Sequence, residues 1–278
     1  VVALLSVVTR YRALSNTLQK TEKELSVLVD QLYWSWDKVL VDMEIKEGQD
    51  VSFRHKFQTN RYQVIPGTEV KTTDGPEKES EAETKVDPPV WTVVTKSTYE
   101  SMKNNLGMTV QHKPAGKFDH EATSLVQPPG YQYICPVNQQ RNHYGYWHRY
   151  HSGYHWMFYP RYYGMRSRLW GPSYSPVTSQ LYGGYSSYSR SGRTFTGRES
   201  SGRSLYGSTG TSTKQQYSSS KYVSTNGFSN TQYVKSGGAY RGSRYARSSS
   251  RSSSGRSSSY RSSSYSRSSS RGFSFGGK

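Results

Sequence analysis

The stretch KVLVDMEIKEGQDVSFRHKFQ, residues 38–58, decides the fold class because apolar and polar side chains alternate in it with a period of two. In its first half the residues on one side are Val39, Val41, Met43 and Ile45. After the turn-forming residues EGQD, the alternation resumes with Val51, Phe53, His55 and Phe57. Side chains two apart share one face of a strand, so the pattern predicts two half-buried strands joined in a β-hairpin. His55 lies on the apolar face and is interpreted as a core histidine, because nothing near it completes a site.

The hairpin extends outward into a small antiparallel unit. We expect the hairpin unit to span residues 37–65 and an acidic linker or loop to follow at 66–89, where seven acidic residues and four prolines leave little to bury. The sequence VWTVVTKSTY, which begins at Val90, is rich in β-branched and aromatic residues and predicts a third strand. Residues 90–130 are therefore assigned to this strand and an irregular segment. The fold class is a small α+β fold of one N-terminal helix and about three antiparallel strands, followed by a disordered C-terminal region.

Residues 1–36 predict a helix with a heptad stripe. The apolar seam alternates steps of three and four residues and has Thr21 as its one polar member: Leu4, Val7, Tyr11, Leu14, Leu18, Leu25, Leu28 and Leu32. Such a stripe is typical of a short coiled coil that would make the protein a homo-oligomer. The alternative is an amphipathic helix that packs on its own domain.

The first eight residues, VVALLSVV, are almost wholly apolar and are followed by TRYR. This pattern is typical of the end of a membrane anchor with its basic flank, although a span needs roughly twenty apolar residues. We therefore expect membrane association, with the side of the membrane left open. The alternative is the buried start of an ordinary helix.

Residues 131–170 form an aromatic and histidine-rich segment, with 12 aromatic residues between positions 131 and 164. This number exceeds what a small core is expected to bury. His148, His151 and His155 are the candidate metal ligands, since imidazole suits zinc, copper or nickel. The alternative is that the histidines reflect the composition of the segment, because no carboxylate is close enough in sequence to orient the rings.

Residues 171–278 are predicted to be disordered. Positions 181–278 contain 33 serines, 11 tyrosines and only eight leucine, valine or phenylalanine residues. Such a segment buries too little apolar surface to offset the entropy of ordering. The same positions carry 16 basic residues and one acidic residue, whereas residues 1–125 are nearly balanced, with 16 basic and 18 acidic residues.

The end of the chain has the pattern of a polyanion-binding segment. Its candidate binding residues are Arg247, Arg251, Arg256, Arg261, Arg267, Arg271, Tyr245, Tyr260 and Tyr265. Guanidinium groups bind phosphates in a bidentate manner, and tyrosine rings stack on bases. The composition resembles the arginine–serine segments of splicing factors and the tyrosine-rich segments of phase-separating RNA-binding proteins. The partner is expected to be a nucleic acid, an anionic membrane surface or an acidic polymer.

No catalytic motif is found in the sequence. HEATS, at 120–124, has serine where a zinc protease helix needs its second histidine, and neither a nucleophile elbow nor a phosphate-binding loop occurs. The single cysteine, Cys135, excludes an intramolecular disulfide. We therefore expect a non-enzymatic interaction protein without a cofactor, attached to a membrane. The alternatives are a soluble RNA-associated, condensate-forming protein and a tyrosine-rich extracellular surface or matrix protein.

Overall fold

The computed structural model describes residues 2–46, 50–64, 82–171, 176–198, 201–225 and residue 235, with side chains from residue 4 onward. It is a mixed α+β fold with an N-terminal helix and an antiparallel sheet, as the sequence predicts. The helices are α1 (Val2–Tyr33), α2 (Lys96–Met102), α3 (Tyr163–Trp170), α4 (Ser179–Arg190), α5 (Thr211–Gln216) and α6 (Lys221–Ser224). The strands are β1 (Trp34–Lys46), β2 (Ser52–Gln63), β3 (Thr84–Val86), β4 (Val90–Val94), β5 (Thr109–Lys113), β6 (Gly145–Tyr150) and β7 (Gly153–Phe158).

The predicted hairpin is confirmed as β1 and β2, which pair antiparallel from Trp34 opposite Gln63 to Lys46 opposite Ser52. The register shifts between Leu40 and Asp42, so Leu40 and Met43 both reach the same apolar cluster. A bulge of this kind inserts one residue and changes which side chains share a face. The strict period of two therefore describes each half of β1 and not the whole strand.

The expectation that β1 is half-buried is wrong, because nearly every residue from Trp34 to Met43 is buried. One side packs in the sheet cluster, which we define as Leu40, Met43, Phe53, Tyr99, Leu106 and Tyr222. The other side is covered by residues from the later, aromatic part of the chain, of which Tyr133 is an example. The alternation of apolar and polar residues could not predict that distant residues cover the second face of β1.

The predicted third strand is confirmed as β4, which pairs with β2 from Phe53 opposite Val94 to Phe57 opposite Val90. The predicted linker at 66–89 differs from the structure at its end, because Thr84–Val86 form β3, which pairs with β2 as β4 does. Pro88 and Pro89 separate β3 from β4, and proline is tolerated there because a residue between two edge strands does not have to donate a backbone N–H to the sheet. Residues 65–81 lie outside the described residues.

The aromatic segment forms a core of its own, although not all of its 12 rings are buried: Tyr146, Tyr150, Tyr154 and Tyr163 are exposed. The aromatic core is built on the β6–β7 hairpin and contains Tyr62, Tyr131, Tyr133, Trp147, Trp156, Phe158, Tyr159, Tyr162, Met165, Leu169, Val177, Phe195 and Tyr206 among its buried members. Trp156 is fully buried. Aromatic rings bury large areas, so a modest number of them can hold a core together.

The prediction that disorder begins at residue 171 is corrected for residues 176–198 and 201–225. These residues form α4, α5 and α6 and contribute Phe195 and Tyr206 to the aromatic core and Tyr222 to the sheet cluster. The glycine- and serine-rich composition did not indicate this order. A segment of this kind can still be ordered when one aromatic side chain every few residues is buried in the cores formed by the rest of the protein. Residues 226–234 and 236–278 lie outside the described residues, and their predicted disorder stays a prediction.

Asp42 holds the last described helix on the sheet. Its carboxylate accepts hydrogen bonds from the backbone N–H groups of Lys221 and Tyr222, each at 3.0 Å. These are orphan donors in the first turn of α6, which a carboxylate satisfies well. The hydroxyl of Tyr222 also donates to the carbonyl of Lys103 at 2.7 Å. The order of this distal segment is thus specified by a residue almost 180 positions earlier in the chain.

Candidate functional site

Helix α1 presents an apolar side that the rest of the described protein leaves uncovered. Its seam residues from Leu4 to Leu28 are exposed, from 48% at Leu28 to 72% at Tyr11. Apolar side chains scattered singly on a surface need no explanation, but a continuous stripe marks an interaction site. The alternative prediction, a helix packed on its own domain, is wrong for these residues. The coiled coil stays a prediction.

At its last turn, α1 is attached to the rest of the described protein, which we call the body. The ammonium group of Lys113 on β5 donates to the carbonyl of Gln31 and lies 3.7 Å from Asp119 Oδ1. The N–H of Gly116 donates to the carbonyl of Leu32 at 2.8 Å. The last turn of α1 contains no basic residue of its own. Lys113 therefore supplies the positive charge that a helix C-terminus prefers, and its burial lowers its pKa.

A buried polar cluster surrounds Asp37 on β1. Its carboxylate accepts a hydrogen bond from the hydroxyl of Tyr133 at 2.8 Å and from the amide of Asn60 at 3.3 Å. Burial raises the pKa of Asp37 to about 7, against the lowering effect of these two hydrogen bonds. A shifted carboxyl group is a frequent sign of a catalytic site. Here the side chain is fully buried, so solvent and substrate do not reach it, and its evident effect is on stability.

The three histidines proposed as metal ligands lie in or next to the β6–β7 turn. His148 and His155 are directly opposite each other across the strand pair, and His151 is in the turn. The ring of Tyr150 packs edge-on against the rings of His148 and His155, with centroid distances of 4.6 Å and 5.2 Å. Ser152 Oγ lies 2.9 Å from His155 Nε2. Within the described ranges, no group of three or more histidine, cysteine or carboxylate side chains could hold a metal ion.

Trp91 on β4 carries a cationic cluster that the sequence analysis missed. The charged groups of Arg54, Lys56 and Lys221 lie 5.2 Å, 5.5 Å and 5.6 Å from the centroid of its ring. Glu44 pairs with Arg54 at 3.0 Å and also contacts Lys221. Since one carboxylate already pairs with two of the cations, the cluster is explained as a contact between the strands and α6. The polar side of β2 is its only sequence signal, because Lys221 is distant in the chain.

The candidate polyanion-binding residues Arg247, Arg251, Arg256, Arg261, Arg267, Arg271, Tyr245, Tyr260 and Tyr265 lie outside the described residues. In the part of the chain that the structure does describe, none of the helices combines the length and the apolarity that crossing a membrane requires. No family model, no curated protein and no solved structure matches the chain.

Proposed function

We propose that this protein is a non-enzymatic interaction protein that binds phosphate-bearing or otherwise acidic polymers through its C-terminal segment. The observation that supports this proposal is the distribution of charge around the folded body. Residues 226–278 contain ten basic residues and no acidic residue. In residues 1–125, by contrast, 16 basic and 18 acidic residues nearly balance, and several cations are paired with carboxylates at Glu44, Glu83, Asp87, Glu100, Asp119 and Glu121.

The arrangement of arginine and tyrosine favours polymers with both charge and aromatic surfaces. An arginine every few residues, in a segment that contains no acidic residue, gains affinity by releasing the counterions of a polyanion. Tyr245, Tyr260 and Tyr265 stand among these arginines and offer rings for base stacking. The proposed partner is therefore single-stranded nucleic acid in preference to a polyanion that has no bases. An anionic membrane surface, an acidic polymer and self-association into condensates are the alternative uses of the same residues.

The test is binding of the full chain to single-stranded poly(U) RNA, measured across a salt series. One variant changes the six arginines from Arg247 to Arg271 to glutamine. The matched control removes the same charge from exposed positions on α1 and the body: Arg12, Lys20, Lys23, Arg149, Arg168 and Arg198. We expect the first variant to lose most of the affinity and of the salt dependence. Equal losses from both variants would show that only net charge matters and would reject the proposal.

Stacking is tested at constant charge. The variant with Tyr245, Tyr260 and Tyr265 changed to serine is expected to bind poly(U) more weakly and to bind heparin, which has no bases, unchanged. Base stacking contributes roughly 1–3 kcal/mol per base, so the loss should be at least tenfold. Unchanged RNA binding would remove nucleic acid as the preferred partner and leave the charge-only polyanions.

Membrane attachment is the second candidate, and the first turns of α1 favour it. Leu4, Leu5 and Val7 are all more than 60% exposed, so the apolar surface there is wider than the heptad seam. Arg10 and Arg12 follow and would reach anionic headgroups. We expect the full chain to float with vesicles of phosphatidylcholine and phosphatidylserine, and Leu5→Gln to reduce flotation. Leu5 is outside the seam, so this variant separates lipid contact from helix pairing.

A further inference from the structure

We propose that α1 pairs with α1 of a second copy of this chain in an antiparallel coiled coil, in which Tyr11 faces Thr21 of the partner subunit. This inference does not depend on polyanion binding by the C-terminal segment. It concerns the uncovered seam of α1, its register and the charges beside it.

The uncovered part of the seam has definite ends. In heptad notation, the a positions are Leu4, Tyr11, Leu18, Leu25 and Leu32, and the d positions are Val7, Leu14, Thr21 and Leu28. Leu28 is 48% exposed, whereas Leu32 is partly buried beside the body. The free seam therefore extends from Leu4 to Leu28, about 36 Å at 1.5 Å per residue.

A second copy is the occupant whose surface matches this seam. A coiled-coil partner must offer apolar knobs every 3.5 residues over the same length, and another α1 does so by construction. Its seven exposed apolar side chains are spaced for that geometry, and no other described residue of the chain covers them.

Side-chain size favours the antiparallel orientation. Tyr11 is the one aromatic residue of the free seam, and Thr21 is its one polar residue. In a parallel pair, each would face its own copy, so two rings would crowd one layer and two small polar side chains would leave another layer underfilled. In the antiparallel register that places Leu4 opposite Leu28, Tyr11 faces Thr21, so each large side chain is opposite a small one. The free seam then pairs with itself along its whole length.

The charges beside the seam favour the same orientation. The charged residues at the flanking e and g positions are Arg10, Glu22 and Glu24. In a parallel pair, Arg10 would lie beside Ser15 and Glu24 beside Val29, so no ion pair would form. In the antiparallel register, Arg10 lies beside Glu24 of the partner subunit, and symmetry forms this pair twice. The exposed intrahelical contact from Lys20 to Glu24, at 3.8 Å, is too weak to prevent it.

The first test is sedimentation of the full chain together with a charge-reversal cycle. We expect a dimer that Arg10→Glu and Glu24→Arg each weaken roughly tenfold, because two attractive pairs become repulsive. The double variant Arg10→Glu/Glu24→Arg is expected to restore the wild-type dissociation constant. Arg12→Glu makes the same charge change outside the seam and should leave the constant unchanged. Lack of rescue in the double variant would overturn the antiparallel assignment.

Orientation is tested directly by oxidative crosslinking. Mixing Leu4→Cys with Leu28→Cys is expected to give a disulfide between the two variants, since these positions face each other only in the antiparallel register. Native Cys135 is buried, and the wild-type chain, which has no other cysteine, measures the background of crosslinking. Crosslinking of Leu4→Cys with itself, without the mixed product, would show a parallel pair and overturn the proposal.

The same measurements also test the alternatives to a second copy, which are that α1 has no partner or that it binds a membrane surface. A full chain that stays monomeric at micromolar concentration overturns the proposal. If that monomer floats with phosphatidylserine vesicles and Leu5→Gln releases it, the membrane surface is the occupant of α1. Because the arginines from Arg247 to Arg271 would also contact phosphatidylserine, flotation is measured on a chain in which all six are changed to glutamine. Flotation that survives this change is due to α1, so failure of this inference is distinguishable from failure of polyanion binding.

Discussion

At the scale of single residues, Asp37 and His55 make folding stability depend on pH in opposite directions. Burial raises the pKa of Asp37 to about 7 and lowers that of His55 to about 4. The folded state therefore prefers both groups uncharged. Stability contributed by protonated Asp37 is complete below its unfolded pKa of 3.8 and is lost as pH rises through about 7. Stability contributed by neutral His55 is complete above 6.5 and is lost as pH falls through about 4.

Asp37→Asn is expected to remove the loss of stability between pH 4 and pH 7. The amide resembles the protonated carboxyl group and does not titrate. The free energy of unfolding of the variant should rise relative to wild type across this range, by up to about 4 kcal/mol for a shift of some three pKa units. Urea unfolding at several pH values measures it. Asp50→Asn, at an exposed position, is the control, and a constant difference between Asp37→Asn and wild type would contradict the prediction.

His55→Phe is expected to stabilise the protein increasingly as pH falls below 6.5. The imidazole ring is fully buried between Tyr99 and Phe57, and among the described residues neither ring nitrogen has a hydrogen-bond partner. Phenylalanine keeps the ring contacts and removes the unpaired polar atoms. Thermal unfolding at pH 5 and pH 7.5 should show a larger gain at the lower pH. His143→Gln, exposed, should show none; a gain independent of pH would exclude the titration of His55 as its cause.

At the scale of elements, α4 shows how a serine- and glycine-rich stretch becomes an ordered helix. Thr178 caps its first turn by accepting a hydrogen bond from the N–H of Leu181 at 3.2 Å. Tyr185 donates to the side-chain oxygen of Gln127 at 2.6 Å, and its ring packs on Tyr131. These contacts bind the helix to the aromatic core. Its intrinsic helix propensity is low, so tertiary contacts decide its structure.

Two adjacent glycines of α4 make this testable. A Cβ at Gly183 would meet no atom within 4 Å, whereas one at Gly184 would lie 2.9 Å from Phe195 Cε2. Gly183→Ala is therefore expected to raise the free energy of unfolding by roughly 0.5–1 kcal/mol, the helix-propensity gain. Gly184→Ala should give a smaller gain or a loss, because Phe195 must shift. Chemical denaturation of both variants measures the difference; equal effects would show that α4 is not packed on Phe195.

At the scale of the whole molecule, the described segments 176–198 and 201–225 complete both cores. Phe195 and Tyr206 cover the aromatic core, and Tyr222 covers the sheet cluster. Ser208 on the same segment accepts from the N–H of Leu106 at 3.1 Å and donates to the carbonyl of Lys103 at 2.7 Å. The folded unit therefore extends well beyond the part that is rich in ordinary core residues.

Truncation separates the folded unit from the remainder of the chain. A chain ending at residue 235 is expected to keep the cooperative unfolding transition of the full protein. A chain ending at residue 171 should lose several kcal/mol of stability or fail to fold, because Tyr131, Trp156 and Met43 lose their cover. Near-ultraviolet circular dichroism and urea unfolding measure this. A shorter chain that is as stable as the full chain would show that α4 to α6 contribute nothing to the cores.

The sequence by itself determined the elements whose signals are local. The period of two over residues 38–58 predicted the β1–β2 hairpin, and the heptad spacing from Leu4 to Leu32 predicted α1, because alternation and helical periodicity are properties of neighbouring residues. The β-branched run after Val90 predicted β4 for the same reason. The lack of a recognisable catalytic motif and the block of positive charge after residue 226 are also readable without coordinates.

Only the tertiary structure decided which rings are buried and which apolar stripe is not. A tyrosine in a glycine- and serine-rich segment looks the same in the sequence whether it is solvated, as expected for residues 171–225, or buried, as Tyr206 is. Likewise, the seam of α1 predicts a contact but does not say whether the body supplies it. Burial depends on surfaces that meet from distant parts of the chain, such as Asp42 with Tyr222, and one-dimensional periodicity carries no information about such meetings.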